Sequence, residues 1–428
     1  MTKQAVIGCV SMTHLGLLHS TAFAEKGFQL VCFDESPALI NSLQKGNLPV
    51  SEPKLDDLVK KNQARLTFTH DREQLRGCDL IFIACDVPTD NKGNSDLTII
   101  YRLVELVKPV LANHASLVLL SQVPPGFTRK IDLPKERLFY QVETLIFGRA
   151  VERALYPERY IVGVNDPQKD LPATYADLLE SFNCPILKMR YESAELAKIS
   201  INLFLVASVT TTNTLAEICE AIGADWNEIA PALRLDKRIG QYAYLSPGLG
   251  IAGGNLERDL NTIIKLGERH HTNTDTVSAW IKNSEHRREW VLHCLQEQVF
   301  AKIENPVICV LGLAYKPNTH SIKNSPSIAL LNRLCDCKVT IHDPEVEIEH
   351  PGLKASVDEA ILGAEVLIIM TPWPEYKQLL PAALKKAKNQ LKIMIDPYGL
   401  FVDNSCQENF RYYSLGKRYN KEDTCSHI

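Results

Sequence analysis

The chain has 428 residues, more than one hydrophobic core ordinarily serves, and its balance of 45% hydrophobic and 23% charged residues is that of a folded globular protein. A net charge of -4 gives no electrostatic footprint for nucleic acid or an anionic membrane, so neither is expected as a partner. The twelve cysteines lie scattered in apolar runs without CxxC spacing, which excludes an evident metal site and reads as reduced core thiols in a cytoplasmic protein.

The chain opens on a buried-strand pattern with no signal-like segment ahead of it. No apolar stretch is expected to reach the ~20 residues that span a bilayer. Strands are predicted over 5–7, 29–33, 80–84, 116–120 and 160–164, with helices over 17–26, 56–61 and 98–111 between them. Strands alternating with helices predict a parallel, doubly wound sheet. From Ser193 to Ile222 the spacing changes: Leu196, Ile199, Leu203, Val206, Leu215 and Ile218 recur at helical period. A stripe of that length suits a domain-joining spine and predicts a homodimer. More helix is expected to about 296, including 286–300. Strands resume over 307–312, 338–341, 366–370 and 393–395, with a helix near 327–334, and the polar residues 417–428 are predicted to fray.

The expected fold class is therefore α/β: two Rossmann-like doubly wound domains joined by a long central helix and a helical middle. The boundaries fall at 1–190, 191–300 and 301–428. In such a unit the first strand–helix turn holds the dinucleotide and needs glycines for its tight bend and close approach. Here that turn reads Gly8-Cys9-Val10-Ser11-Met12-Thr13-His14-Leu15-Gly16, and Asp34 follows Gly16 by eighteen residues, the spacing of a ribose-binding acid. Counting back from Gly16 puts Ser11 and Thr13 at the first two glycine positions. The candidate cofactor residues are Ser11, Thr13, His14, Leu15, Gly16 and Asp34. A carboxylate at 34 repels a 2′-phosphate and so favours NAD over NADP.

Several blocks, in order along nearly the whole chain, resemble the UDP-glucose/GDP-mannose dehydrogenase family. Val87-Pro88-Thr89 with Gly93 and Asp96-Leu97 is similar to its VPT…G…DL segment, and Ser121-Gln122-Val123-Pro124-Pro125-Gly126 to its STVPPG turn. Glu143 through Gly148-Arg149-Ala150, then Pro157-Glu158-Arg159, resembles its NPE block. Lys198 and Asn202 stand as its K-x-x-x-N, Arg238-Ile239-Gly240 as its RIG turn, and residues 247–259 as its PG-x-GFGGSCFPKD loop. Gly312 through Lys316-Pro317-Asn318-Thr319, with Ser325-Pro326, resembles its GLAYKPNT…SP segment.

The resemblance implies an NAD-dependent oxidoreductase acting on a nucleotide sugar, with a UDP-sugar expected. It assigns Thr89, Ser121 and Gln122 to the cofactor, and Arg238, Gly250, Gly253, Lys316 and Lys323 to the substrate. It implies that Lys198 and Asn202 orient the alcohol and steady an oxyanion, that Asp259 assists proton transfer, and that Glu143 is the glutamate of the NPE block. The family performs two successive oxidations through a thiohemiacetal on a cysteine, and at that position this chain has Asn255, an amide that cannot be the nucleophile. Phe147 replaces a second glutamate, Gln122 a threonine, Lys323 an arginine, and Asp396-Pro397-Tyr398-Gly399 the family's DGRN. A single two-electron oxidation is expected. A four-electron enzyme with another nucleophile and a silent sugar-nucleotide-binding protein are the alternatives. Residue by residue, plainer roles stand open too: helix surface for Lys198 and Asn202, a solvated loop for Glu143, a turn former for Asn255.

Overall fold

A computed structural model of the chain describes residues 5–90, 93–387, 390–401 and 410–418. It forms two compact units, Met1–Ile201 and Asn202–Ile428.

The first unit is built on eight strands: β1 (Val6–Val10), β2 (Gln29–Phe33), β3 (Leu66–Thr69), β4 (Leu80–Ile83), β5 (Ser116–Leu119), β6 (Leu138–Gln141), β7 (Tyr160–Val164) and β8 (Ile186–Arg190). They lie in the order β3-β2-β1-β4-β5-β6-β7-β8, every pair parallel except β6 with β7, which runs antiparallel with Tyr140 opposite Gly163. Its helices are α1 (His14–Glu25), α2 (Pro37–Gln44), α3 (Leu55–Lys61), α4 (Thr98–Val107), α5 (Ala150–Leu155), α6 (Ala173–Glu180) and the first part of α7 (Tyr191–Ile222). Side chains alternate between the faces of β4: Leu80 and Phe82 enter one apolar layer, Ile81 and Ile83 the other. That two-sided burial is why the strand is apolar at every position. Helix α2 starts where Ser36 caps the Leu39 amide at 3.2 Å and Pro37 presets the first turn. On β7, a Cβ at Gly163 would stand 3.0 Å from that of Tyr140 and 3.1 Å from that of Ala194, so the glycine lets α7 lie directly on the sheet.

In the second unit α7 continues into α8 (Trp226–Leu235), α9 (Asn255–His270), α10 (Asp275–Arg288) and α11 (Trp290–Leu295), which ends in a π-turn, Gln296–Phe300. The single helix expected over 286–300 is thus three pieces, broken at Glu289 and widened at its end. A second, all-parallel sheet follows with β9 (Val307–Leu311), α12 (Pro326–Arg333), β10 (Lys338–His342), α13 (Val357–Ile361), β11 (Val366–Ile369), α14 (Pro374–Ala387), β12 (Ile393–Ile395) and β13 (Arg411–Tyr413), in the order β10-β9-β11-β12-β13. Of the tail predicted to fray, 419–428 lies outside the described residues.

Both sheets share one local device. Asp34 after β2 accepts the Met12 amide at 2.8 Å, and Asp343 after β10 accepts the Leu313 and Ala314 amides at 2.6 and 3.0 Å. In each sheet an aspartate beyond the neighbouring strand fastens the turn that leaves the sheet's first strand in the chain, β1 or β9.

One expectation is corrected. Helix α7, at 32 residues, is long and apolar enough to cross a membrane by length and composition. Its hydroxyls hide their polarity by bonding to carbonyls one turn back, as Ser208 does to Phe204 and Thr210 to Val206. The stripe also differs from the one read in the sequence: Ile199 and Val206 are buried within the chain, whereas Leu196, Phe204, Leu215, Ile218 and Ile222 stand exposed. At 3.6 residues per turn those five fall within about 100° of arc.

Candidate active site

In the first unit the turn after β1 is held by its own backbone. Ser11 is left-handed (φ 76°) and its amide donates to the Phe33 carbonyl at 2.8 Å. A Cβ on Gly16 would lie 1.8 Å from the Ser11 carbonyl oxygen, so only glycine lets α1 come this close to the turn. Thr13 has an ordinary φ of -71°, and its hydroxyl accepts the Asp86 amide at 3.3 Å. Asp34 receives Met12 on one carboxylate oxygen and Ser36 (2.9 Å) on the other, which leaves an acceptor site on each for a ribose hydroxyl. Helix α1 has neither a side-chain cap nor an acid in its first turn, an N-terminus suited to phosphate. Buried Leu15 packs into the core below it. His14 is buried with its Nε2 2.9 Å from Glu52. Ser121 is fully buried and spends its hydroxyl on the Cys85 carbonyl at 2.6 Å, tying β5 to β4; Gln122 beside it is half-buried, and Thr89 forms a bridge with Ser95.

Past β6 stands Glu143. Burial pushes its carboxyl up to about 7; the positive charges of Lys198 and Arg153 oppose the shift and the negative charge of Asp86 adds to it. Lys198 comes from α7. One turn earlier Glu195, fully buried, accepts the amides of Gly126 and Thr128 at 2.5 and 2.8 Å, which fastens the turn after Gln122 to the helix that presents Lys198.

In the second unit Asn202 donates to Asp259 at 2.5 Å, and Arg258 Nε lies 3.2 Å from the other carboxylate oxygen. Asp259 is 1% exposed. The preceding loop is pinned residue by residue. Gly248 donates to Asn213, Ile251 to Ser284 Oγ, Gly253 to the Lys323 carbonyl and Gly254 to Glu257. Gly250, Gly253 and Gly254 are all left-handed. A Cβ would lie 2.4 Å from the Ser284 carbonyl at Gly250, 2.7 Å from the Tyr315 ring at Gly253 and 2.8 Å from Lys323 Cε at Gly254. The loop therefore lies flat beneath Tyr315 and Lys323. Lys316 sits over the Tyr315 ring at 5.7 Å. Asn255, exposed, is the first residue of α9. Arg238 is not drawn into this cluster: on an exposed turn its guanidinium bonds to Asp236 alone among the described residues.

Residues 5–183 match the NAD binding domain of the UDP-glucose/GDP-mannose dehydrogenase family, 192–285 its central domain and 309–403 its UDP binding domain. Over 444 residues the chain is 31% identical to the UDP-glucose 6-dehydrogenase TuaD of Bacillus subtilis (strain 168), covering 97% of this chain and 94% of that one. The chain belongs to the UDP-glucose/GDP-mannose dehydrogenase family. It is an NAD-dependent oxidoreductase acting on CH–OH groups. A UDP-glucose 6-dehydrogenase of Rickettsia felis is 29% identical, with 95% of each chain covered. Among solved structures, a UDP-glucose dehydrogenase from Pyrobaculum islandicum superposes with a TM-score of 0.81 at 23% identity over 98% of this chain and 99% of that one. A UDP-D-ManNAc dehydrogenase from Pyrococcus horikoshii gives 0.83 at 22% identity, over 96% and 99%. These two likenesses speak to the fold.

Within this dehydrogenase no described cysteine stands on the glycine loop. Burial pushes the thiols of Cys294 and Cys309 up to about 12 and raises Cys219 as well, so these three second-unit cysteines are held protonated. Sequence reasoning missed Glu52, Asp86, Glu195 and Tyr315. Only Glu195, one turn before Lys198, and Tyr315, inside a matched block, carried a signal. The left-handed Ser11 yields a stability prediction: Ser11→Gly should relieve strain and stabilise the protein by about 1 kcal/mol. A rise in thermal midpoint is expected, and a fall in midpoint contradicts it.

Proposed function

We propose that this dehydrogenase transfers one hydride from a nucleotide-sugar carbinol, a UDP-sugar by preference, to NAD and releases the keto or aldehydo sugar. The observation that carries the reading is Asn255 at the head of α9, an amide where the second oxidation needs a thiolate. Bound NAD supplies the hydride acceptor. The protein's part is proton handling and charge. Lys198 and Asn202, four residues apart on one helix, orient the hydroxyl and steady the developing alkoxide. Glu143, with a carboxyl near 7, is poised to accept the departing proton at neutral pH. Asp259 holds the Asn202 amide and serves as the second carboxylate. On the cofactor side the reading takes Ser11, Thr13, His14, Leu15, Gly16 and Asp34 with Thr89, Ser121 and Gln122. On the sugar-nucleotide side it takes Gly250, Gly253, Lys316 and Lys323, with Arg238 recruited from its exposed turn.

The test is stoichiometric: NADH formed per sugar consumed, with mass spectrometry of the product. One NADH and a carbonyl sugar supports the proposal. Two NADH and a uronic acid overturns it in favour of a four-electron enzyme, and no NADH despite tight binding points to a silent binding protein.

The same reading divides the chain into a cofactor domain (1–190), a helical middle (191–300) and a sugar-nucleotide domain (301–428), and places it in the cytoplasm. The exposed face of Leu196, Phe204, Leu215, Ile218 and Ile222 supports a homodimer formed through α7. Light scattering at micromolar concentration should give twice the chain mass, and a monomer would refute this.

A further inference from the structure

Glu52 lies between α2 and α3 in no motif that marks a dinucleotide site, yet it is 4% exposed and gathers donors from distant parts of the chain. His14 Nε2 lies 2.9 Å from Oε1, the Gly148 amide 3.0 Å from both oxygens, and the Ala150 amide 3.4 Å from Oε2. His14 opens α1, and Gly148, itself left-handed at φ 85°, closes the segment that begins at Glu143. Phe147 of that segment stacks on the His14 ring, centroids 4.2 Å apart and planes 29° from parallel. Glu52 thus ties the His14 ring and the backbone at Gly148 and Ala150 to one carboxyl group.

We propose that Glu52 is a positioning residue for cofactor binding: it locks the start of α1 to the segment carrying Glu143, so that docked NAD and Glu143 share one frame. The inference rests on the assignment of NAD to the turn after β1. Packing alone could also explain a buried carboxylate, but packing would not single out one ligand. In Glu52→Gln an NH2 group replaces one of the two oxygens and faces donors that need acceptors. In His14→Phe the stack on Phe147 is kept and the hydrogen bond lost.

Calorimetric titration of the full chain with NAD, and separately with UDP, tests this, with thermal midpoints as a check on folding. Both variants should bind NAD at least tenfold more weakly than wild type and UDP within twofold of it, while the surface control Glu73→Gln changes neither. Folded variants with NAD affinity within twofold of wild type overturn the proposal, as does a parallel loss of NAD and UDP. If Glu52→Gln does not fold, Glu52→Asp, whose shorter side chain draws the carboxyl back from the Gly148 amide, decides by the same criteria. A wild-type chain that takes up no NAD defeats the cofactor assignment itself, and this inference with it.

Discussion

Glu143→Gln should make the protein more stable and much less active, and the gain in stability should depend on pH. The Glu143 carboxyl is raised by burial to about 7 from its ordinary 4.5, so between those values the folded chain holds a proton that the unfolded chain has released. The stability tied to that proton is complete below about pH 4.5 and lost as pH rises through 7. Glutamine carries no such charge. The variant should therefore match wild type at pH 4 and exceed it at pH 8 by about 2 kcal/mol, less than the full shift would give because the side chain keeps some solvent contact. Turnover at pH 8 should fall by about 10²–10⁴, the usual worth of a positioned base, and the wild-type rise in rate through pH 7 should disappear. Thermal melts and initial rates across pH 5–9 check both halves. A variant that is less stable than wild type at pH 8, or that keeps the alkaline limb, removes Glu143 from this role.

Asp259→Ala should be the most damaging single change in the second unit. It takes one carboxylate contact from the Arg258 guanidinium, 6% exposed, and an acceptor from Asn202. Breaking a buried pair from one side costs about 3 kcal/mol or more, whereas removing both charges is far milder. The double variant Asp259→Ala with Arg258→Met should regain most of that stability and none of the turnover. Urea unfolding midpoints and rates separate the two effects. Equal midpoints for single and double variants would show that the pair does not set the stability of this region.

What could be read in the sequence depended on how far each signal reached. Strand β4 is apolar throughout because both faces are covered, and it announces itself. Strand β3, Leu66-Thr67-Phe68-Thr69, is interrupted by threonines and partly exposed, β6 ends on a glutamine, and β8 is an edge strand with the partly exposed sequence Ile186-Leu187-Lys188-Met189-Arg190, so none presents a strong apolar run. Gly16 was legible because its spacing to Asp34 is local. The positive φ of Ser11 was not, since nothing about a serine reports the backbone it is forced to adopt. Lys198, Asn202 and Asp259 were singled out through matched blocks. Glu52 was not, because its meaning lies in partners 38 and 96 residues away that only the folded sheet brings to it. Of the two readings of Asn255, at the family's cysteine position or as a plain turn former after two glycines, the second meets a residue that begins a helix.

The single antiparallel pairing in the first sheet acts as the zero mark of a ruler. Because β7 and β8 run against β6, the chain leaves β8 at the amino edge of β6, where the Tyr191 hydroxyl bonds to the Leu138 and Lys135 carbonyls. From there α7 climbs back along the sheet. Eight residues from Arg190 to Lys198 rise about 12 Å at 1.5 Å each, and four strand residues of β6 extend about 13 Å. The lysine thus arrives level with Glu143 by matched lengths of two unlike polymers. One residue inserted between Tyr191 and Lys198 would lift the ammonium only ~1.5 Å but swing it about 100° around the helix axis, off the sheet. Strand direction at this edge thereby sets where Lys198 stands, and a parallel β7 would have launched the same helix away from Glu143.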